Sequence, residues 1–135
     1  TQLGYGLGLA LGAKMARPEM NVINFMGDAA FGMAGLDIET ATRNGIGLTT
    51  IVLHNGVMTG YAANYMPIAA DAYRSHELGG NYAMVAQRLG AHAERIETPD
   101  VISDAVRRAL AANSEGQPAL IEMMTKEEPN VSKYW

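Results

Sequence analysis

The sequence predicts an α/β protein of three layers, in which a mainly parallel sheet lies between helices. Three short apolar runs are typical of buried strands, at residues 20–26, 48–54 and 118–124. Helical patterns separate these runs, so strands and helices alternate along the chain. Such alternation is typical of parallel strands whose crossover helices cover both faces of the sheet.

The first half of the chain predicts two helices around one strand. Residues 4–16 predict a helix with a face of small residues, and the proline that follows ends it. After the strand at 20–26, residues 27–30 (Gly-Asp-Ala-Ala) are expected to form a turn. Residues 33–44 predict the second helix, which an Asn-Gly pair ends.

The second half repeats the pattern with shorter elements. The strand at 48–54 is β-branched and apolar, and the stretch from 55 to 78 has no regular pattern. Residues 80–89 predict a short helix, and residues 92–96 predict a short strand. A Thr-Pro pair then predicts the start of a helix of about 14 residues, which precedes the last strand.

The composition excludes several classes of protein. The chain has 135 residues, a formal net charge of −4 and no cysteine. This length predicts one domain over residues 1–135, with a polar tail from about 126 to 135. The net negative charge does not favour binding to nucleic acid. Without cysteine there is no disulfide framework, thiolate metal site or cysteine nucleophile, which fits a reducing cytoplasm.

The sequence shows neither a signal peptide nor a membrane-spanning run. Polar residues and a proline interrupt the uncharged stretch between Arg43 and Asp71. The chain begins at Thr1 rather than at a methionine. We therefore expect one domain of a larger, cytoplasmic polypeptide.

Two polar side chains stand just after consecutive predicted strands. Asp28 follows the strand at 20–26, and Asn55 follows the strand at 48–54, with one helix between them. A right-handed crossover brings the carboxyl ends of both strands to the same edge of the sheet. Paired strands lie about 4.8 Å apart, so both side chains can face one point. Open α/β sheets bind ligands at this edge.

The residue types at this edge favour a hard divalent cation. Carboxylate, amide and backbone carbonyl oxygens suit Mg²⁺ or Ca²⁺ better than zinc, and phosphate oxygens and water usually complete the Mg²⁺ octahedron. No Lys or Arg occurs between Arg17 and Arg43, so a Walker-type phosphate lysine is absent. A bound diphosphate would be neutralised by the metal, a helix N-terminus and backbone N–H groups. The pattern therefore predicts a metal–diphosphate site.

The residues around these two positions resemble a known family. The triplets at 27–29 (Gly-Asp-Ala) and 54–56 (His-Asn-Gly) are similar to the thiamine-diphosphate signature, a GDG triplet followed later by NN. The stretches LGYGLGLALGAKMARPE and DAAFGMAGLDIETATRNGIGLTTIVLHNG carry the likeness further. Over nearly all of its length, the chain resembles the C-terminal diphosphate-binding domain of acetolactate-synthase-like thiamine-diphosphate enzymes.

The resemblance implies the thiamine-diphosphate-binding fold, thiamine diphosphate and Mg²⁺ as cofactors, and a set of site residues. It implies that Mg²⁺ is bound by the side chains of Asp28 and Asn55 and the main-chain carbonyl of Val57. Leu3 falls where the family has a bulky apolar wedge beneath the cofactor. The other implied cofactor contacts lie beside the metal ligands and are mainly backbone groups: Gly27, Ala29, Ala30, Met58 and Thr59.

Two residues depart from the family signature. Ala29 replaces a glycine, which is acceptable if its φ stays negative. His54 replaces the first asparagine. Because His54 precedes Asn55 by one position, its side chain is expected on the other face of the strand. We expect His54 to be a hydrogen-bonded strand residue rather than an acid–base group.

By this resemblance the chain belongs to an enzyme that decarboxylates a 2-oxo acid and transfers the carbanion to an acceptor, as a transferase or lyase. In the family a glutamate from a pyrimidine-binding domain, usually of a partner subunit, polarises the cofactor. We therefore expect a homo-oligomer, and we expect this chain alone to be inactive. Its own catalytic residues stay unknown at this point.

Two alternatives stay open from the sequence. The stretch GDAAFGMAGLDIETATR also resembles oxalyl-CoA decarboxylase and 2-hydroxyacyl-CoA lyase, whose substrates are acyl-CoA thioesters. The chain could instead be a non-catalytic α/β binding module, similar to a receiver or flavodoxin-like domain. Such a module would respond to FMN or a phosphoryl mimic rather than to thiamine diphosphate with Mg²⁺. No nucleic-acid or membrane partner is expected in any of these cases.

Overall fold

A parallel sheet of four strands forms the centre of the described structure. The computed structural model describes residues 2–58 and 65–127. The strands of the sheet are β1 (Ile23–Gly27), β2 (Thr49–His54), β3 (His92–Ile96) and β4 (Ala119–Met124). They are all parallel and lie in the order β1-β2-β4-β3. The predicted α/β class with a parallel sheet is confirmed.

Six α-helices accompany the strands in the described parts of the chain. They are α1 (Tyr5–Ala16), α2 (Asp28–Ala34), α3 (Asp37–Arg43), α4 (Pro67–Tyr73), α5 (Tyr82–Arg88) and α6 (Ile102–Ser114). A 3₁₀ turn over Pro99–Val101 leads into α6. Each of these described helices is too short or too polar to span a membrane.

Helices cover both faces of the sheet, as the alternation of elements predicts. Val52 and Leu120 belong to a core that also contains side chains of α1, α2, α3 and α5. Ile51 and Ile121 belong to a second core, which α6 covers. Because successive strand residues point to opposite faces, the two cores lie on opposite sides of the sheet. The architecture therefore has three layers.

The segment after β1 differs from its prediction. Residues 27–30 are expected to form a turn, but the strand runs directly into α2, which begins at Asp28. The helix expected over 33–44 is divided between α2 and α3. A Cβ at Gly35 would lie 2.6 Å from the ring of Phe31, which is buried. Only a glycine fits against the Phe31 ring at this position. Because glycine destabilises a helix interior, the helix is interrupted here.

Two further boundaries differ from the sequence pattern. The stretch expected to be irregular contains α4, which has Pro67 in its first turn. Proline is favourable there because the first N–H groups of a helix have no helical acceptor, so its missing N–H costs no hydrogen bond. The helix expected after the Thr-Pro pair starts at Ile102, because Pro99–Val101 forms the 3₁₀ turn. The strand predicted at 92–96 is confirmed.

The sheet face covered by α6 stays open over β1. Ile23 and Phe25 of β1 are 41% and 64% exposed, and Leu53 of β2 is 43% exposed. Strand β1 lies at one edge of the sheet, while α6 packs on β4, β3 and β2. An exposed apolar strip next to a sheet edge is typical of a surface that another polypeptide segment covers.

Gly47 packs directly on the backbone of α6, and a Cβ there would overlap Asn113. We expect Gly47→Ala to lower the free energy of unfolding by about 1–3 kcal/mol, the usual cost of overpacking. Gly8→Ala is the matched control, because Gly8 lies in α1 with open space around it. Alanine there should raise stability by about 0.5–1 kcal/mol. Urea unfolding followed by circular dichroism measures both changes, and an unaltered midpoint for Gly47→Ala would contradict this packing.

Candidate functional site

The carboxyl ends of β1 and β2 meet where the sequence predicts. The two strands pair with Gly27 opposite Leu53, and the buried Asp28 follows Gly27 directly. Asp28 Oδ2 accepts a 2.8 Å hydrogen bond from the backbone N–H of Gly56. Its Oδ1 accepts a 2.8 Å bond from the N–H of the next residue. Asp28 is therefore in direct contact with the loop that carries Asn55.

The loop at 55–58 is held in place by three hydrogen bonds of ordinary length. Asn55 Oδ1 accepts a 3.1 Å bond from the N–H of Val57. Gly56 has a φ of 76°, a left-handed conformation that favours glycine. The carbonyl of Gly56 and the N–H of Met58 bond to the segment 76–78, each at 2.8 Å. These two backbone hydrogen bonds to the segment 76–78 do not involve the carbonyl of Val57.

The groups brought together are oxygen donors that suit a divalent cation. The N–H of Gly56 donates to the carboxylate of Asp28, and the N–H of Val57 donates to the amide oxygen of Asn55. These bonds link Asp28 to the loop that carries Asn55 and the carbonyl of Val57. Carboxylate and amide oxygens carry two lone pairs each, so a hydrogen bond leaves room for a metal. Within residues 2–58 and 65–127, no three His, Cys, Asp or Glu side chains form a metal cluster. A site here would use one carboxylate, as Mg²⁺ sites that bind phosphate commonly do.

A cavity of about 260 Å³ adjoins the tip of β1. Three predicted cofactor residues, Leu3, Gly27 and Ala30, are among its lining residues. Gly4 also lines it with a φ of 88°, and a Cβ there would lie 3.2 Å from the Cβ of Met33. The glycine therefore lets the chain turn at the cavity wall, next to the half-exposed side chain of Leu3.

The remaining predicted cofactor contacts are Ala29, Met58 and Thr59. Ala29 lies in the first turn of α2 and does not have a positive φ, so the substitution of glycine is sterically acceptable. Its N–H already donates to Asp28, and the N–H of Met58 donates to the carbonyl of His76. Thr59 lies outside the described residues.

A buried hydrogen bond between His54 and Glu122, beside the site, is the feature that sequence reasoning missed. His54 Nδ1 lies 2.6 Å from Glu122 Oε1, so the expectation of a hydrogen-bonded strand residue is confirmed. The ring is not turned away from the site, because His54 Nε2 lies 3.9 Å from Asp28 Oδ2. The available signal was a glutamate inside the apolar strand ALIEMM, where a charge needs a partner.

Tyr82 packs beside this pair, and its environment favours the neutral phenol. The Tyr82 ring centroid lies 5.0 Å from that of His54 and 5.4 Å from that of Phe31. Burial raises the pKa of Tyr82, and the negative charges of Asp28 and Glu122 raise this pKa further. Tyr82 thus reports on the charge of the candidate metal ligand.

The family assignment agrees with this geometry. The family model for "Thiamine pyrophosphate enzyme, C-terminal TPP binding domain" matches residues 1–123. The chain therefore belongs to the family of C-terminal thiamine pyrophosphate-binding domains.

Known relatives include several enzymes of this class. The chain is 33% identical over 132 residues to the acetolactate synthase large subunit IlvG of Mycobacterium tuberculosis, covering 96% of this chain and 23% of that protein. It is 31% identical to the sulfoacetaldehyde acetyltransferase of Rhodobacter capsulatus, covering 93% and 22%. The solved thiamine diphosphate-dependent 4-hydroxybenzoylformate decarboxylase of Rhodococcus jostii RHA1 superposes with a TM-score of 0.80 at 26% identity, covering 95% and 24%. The chain thus spans about a quarter of the length of these proteins.

We expect Asp28→Asn to lower the pKa of Tyr82 toward the ordinary tyrosine value, because the substitution removes a nearby negative charge. In the folded wild-type protein Tyr82 should keep its proton to higher pH than in the unfolded chain. Stability should therefore fall as pH rises above the ordinary tyrosine range.

The phenolate absorbance of each protein, taken as a difference from its Tyr82→Phe counterpart, measures this titration. Asp104→Asn on α6 is the control, because Asp104 is exposed and should leave the pKa of Tyr82 unchanged. Identical Tyr82 titrations in Asp28→Asn and the wild-type protein would contradict the described proximity.

Proposed function

We propose that this chain binds thiamine diphosphate through Mg²⁺ held by Asp28, Asn55 and the main-chain carbonyl of Val57. Family membership gives the class of cofactor. One observation carries the metal assignment, the 2.8 Å hydrogen bond from the N–H of Gly56 to the carboxylate of Asp28, which joins two strand tips. Mg²⁺ prefers such oxygen ligands and fills its other positions with phosphate oxygens and water.

The neighbouring backbone and cavity would hold the rest of the cofactor. Leu3 and Gly27 line the cavity of about 260 Å³ beside β1, which supports a role for Leu3 as apolar support. This cavity adjoins the start of α2, so cofactor and metal would share one edge of the sheet. The groups proposed for the diphosphate are backbone groups of Ala29, Ala30 and Met58, together with Thr59 from outside the described residues. The N–H groups of Ala29 and Met58 now donate to Asp28 and His76, so they would exchange these acceptors for phosphate oxygens on binding.

We propose a 2-oxo acid as the substrate, with decarboxylation followed by transfer to an acceptor. The bound cofactor would supply a thiazolium ring as electron sink, while this chain positions it and binds the metal. One relative is a 4-hydroxybenzoylformate decarboxylase, and 4-hydroxybenzoylformate is a 2-oxo acid. Other relatives are named as acetolactate synthases. These names support the 2-oxo acid over an acyl-CoA thioester.

We propose that a further domain or subunit completes the active site and that the whole enzyme is a homo-oligomer. The chain spans about a quarter of its relatives' length. The resemblance described above implies that a pyrimidine-binding domain supplies a glutamate to the cofactor. The exposed apolar strip of Ile23, Phe25 and Leu53 supports a covering segment at this edge of the sheet. The described residues alone would then bind the cofactor without turning over substrate.

Thiamine diphosphate and Mg²⁺ added together should stabilise the protein against heat, while either one alone should have a much smaller effect. At a ligand concentration 100 times the dissociation constant, the gain in folding free energy is about 2.7 kcal/mol. Asp28→Asn removes the charged metal ligand and should abolish this joint effect. Differential scanning fluorimetry measures the shift.

Asp104→Asn is the matched control for this experiment. It makes the same chemical change at an exposed site on α6, where the carboxylate pairs with the exposed Arg107. This control should keep the full joint shift, since a surface ion pair contributes little. A wild-type protein stabilised by FMN instead, or an unreduced shift in Asp28→Asn, would refute the proposal.

A further inference from the structure

Glu122 is a buried carboxylate in the middle of an apolar strand. It lies in β4 with no exposed surface, between Ile121 and Met123. In the sheet it stands opposite Val52 of β2 and Arg95 of β3. A buried carboxylate strongly destabilises a fold unless both oxygens find partners. The contacts of Glu122 therefore indicate what this residue does.

Both oxygens of Glu122 tie separate elements together. Oε1 lies 2.6 Å from Nδ1 of His54, at the end of β2. Oε2 accepts a 2.9 Å hydrogen bond from the backbone N–H of Ala83, in the first turn of α5. The guanidinium of Arg95 lies 3.8 Å from Oε1 and offsets its charge. One side chain thus joins β4, β2 and α5.

The hydrogen bond between Glu122 and His54 fixes the residue that directly precedes the loop at 55–58. His54 directly precedes Asn55, and its carbonyl accepts a 2.9 Å bond from the N–H of Thr125. Its ring is therefore anchored at Nδ1, while its backbone is anchored to β4. Two residues later, the N–H of Gly56 donates to Asp28. Glu122 thus acts on the loop through His54 and does not touch the proposed metal ligands.

We propose that Glu122 is a positioning residue, which through His54 holds the loop of Asn55 in the geometry that binds the metal. This inference rests on the proposed function for its effect on Mg²⁺ affinity. Its structural part concerns the loop itself and can be tested without cofactor. Residues that orient metal ligands from outside the coordination sphere typically change metal affinity by about 10–100-fold when mutated.

Glu122→Leu is the test variant, made in the natural polypeptide that contains this chain. A leucine fills much of the same space but has no polar atom, so both His54 and Ala83 lose their partner, whereas a glutamine could still donate to Nδ1 of a neutral His54. Should this variant fail to fold, His54→Ala takes its place, because it removes the same bond from the other end. Thr49→Val is the matched control, since it breaks a buried 2.6 Å bond from Thr49 to Asn113 at the opposite end of β2.

Two readouts separate positioning from general stability. The first is the dissociation constant of Mg²⁺ at saturating thiamine diphosphate, from isothermal titration calorimetry. The test variant should bind Mg²⁺ about 10–100-fold more weakly, and Thr49→Val should bind like the wild-type protein. The second is hydrogen exchange of the Gly56 amide without cofactor, by NMR. It should speed up in the test variant and stay unchanged in Thr49→Val.

The outcomes distinguish this inference from the proposed function. Unchanged Mg²⁺ affinity or unchanged Gly56 exchange in the test variant overturns the positioning role, and so does an equal loss in Thr49→Val. A wild-type protein that binds no Mg²⁺ with thiamine diphosphate overturns the proposed function. In that case, Gly56 exchange still decides whether Glu122 holds the loop.

Discussion

Asp28 is a buried carboxylate at the tip of β1, and burying a carboxylate is costly unless its oxygens find partners. The backbone N–H of Gly56 meets this need at 2.8 Å and thereby ties the tip of β1 to the loop after β2. The same contact links the carboxylate of Asp28 to the loop that carries the amide of Asn55 and the carbonyl of Val57. A cation there would also neutralise the charge that N–H groups only partly offset.

The sheet is held at both ends by buried polar contacts, with apolar cores above and below it. At the edge that carries Asp28, Glu122 joins His54 to the start of α5. At the amino end of β2, Asn113 of α6 accepts a hydrogen bond from Thr49 and donates one to the carbonyl of Leu48. These contacts fix the register of β2, so the residues that follow β2 leave the sheet at a defined place.

The sequence pattern predicts the features that depend on local chemistry. Apolar β-branched runs identify the strands, and the strand tips identify Asp28 and Asn55 as neighbours. The division of the helix near Gly35 could not be predicted, because it depends on how the ring of Phe31 packs. The pairing of Glu122 with His54 joins positions 68 residues apart, so it depends on the order of strands in the sheet.

A crystal structure of the natural polypeptide with Mg²⁺ and thiamine diphosphate tests the central claim most directly. The account predicts one ion about 2.1 Å from oxygens of both Asp28 and Asn55, the distance typical of Mg²⁺. The ion should also contact the diphosphate and the carbonyl of Val57. A diphosphate bound with its ion elsewhere, and with both side chains outside the coordination sphere, would contradict the account.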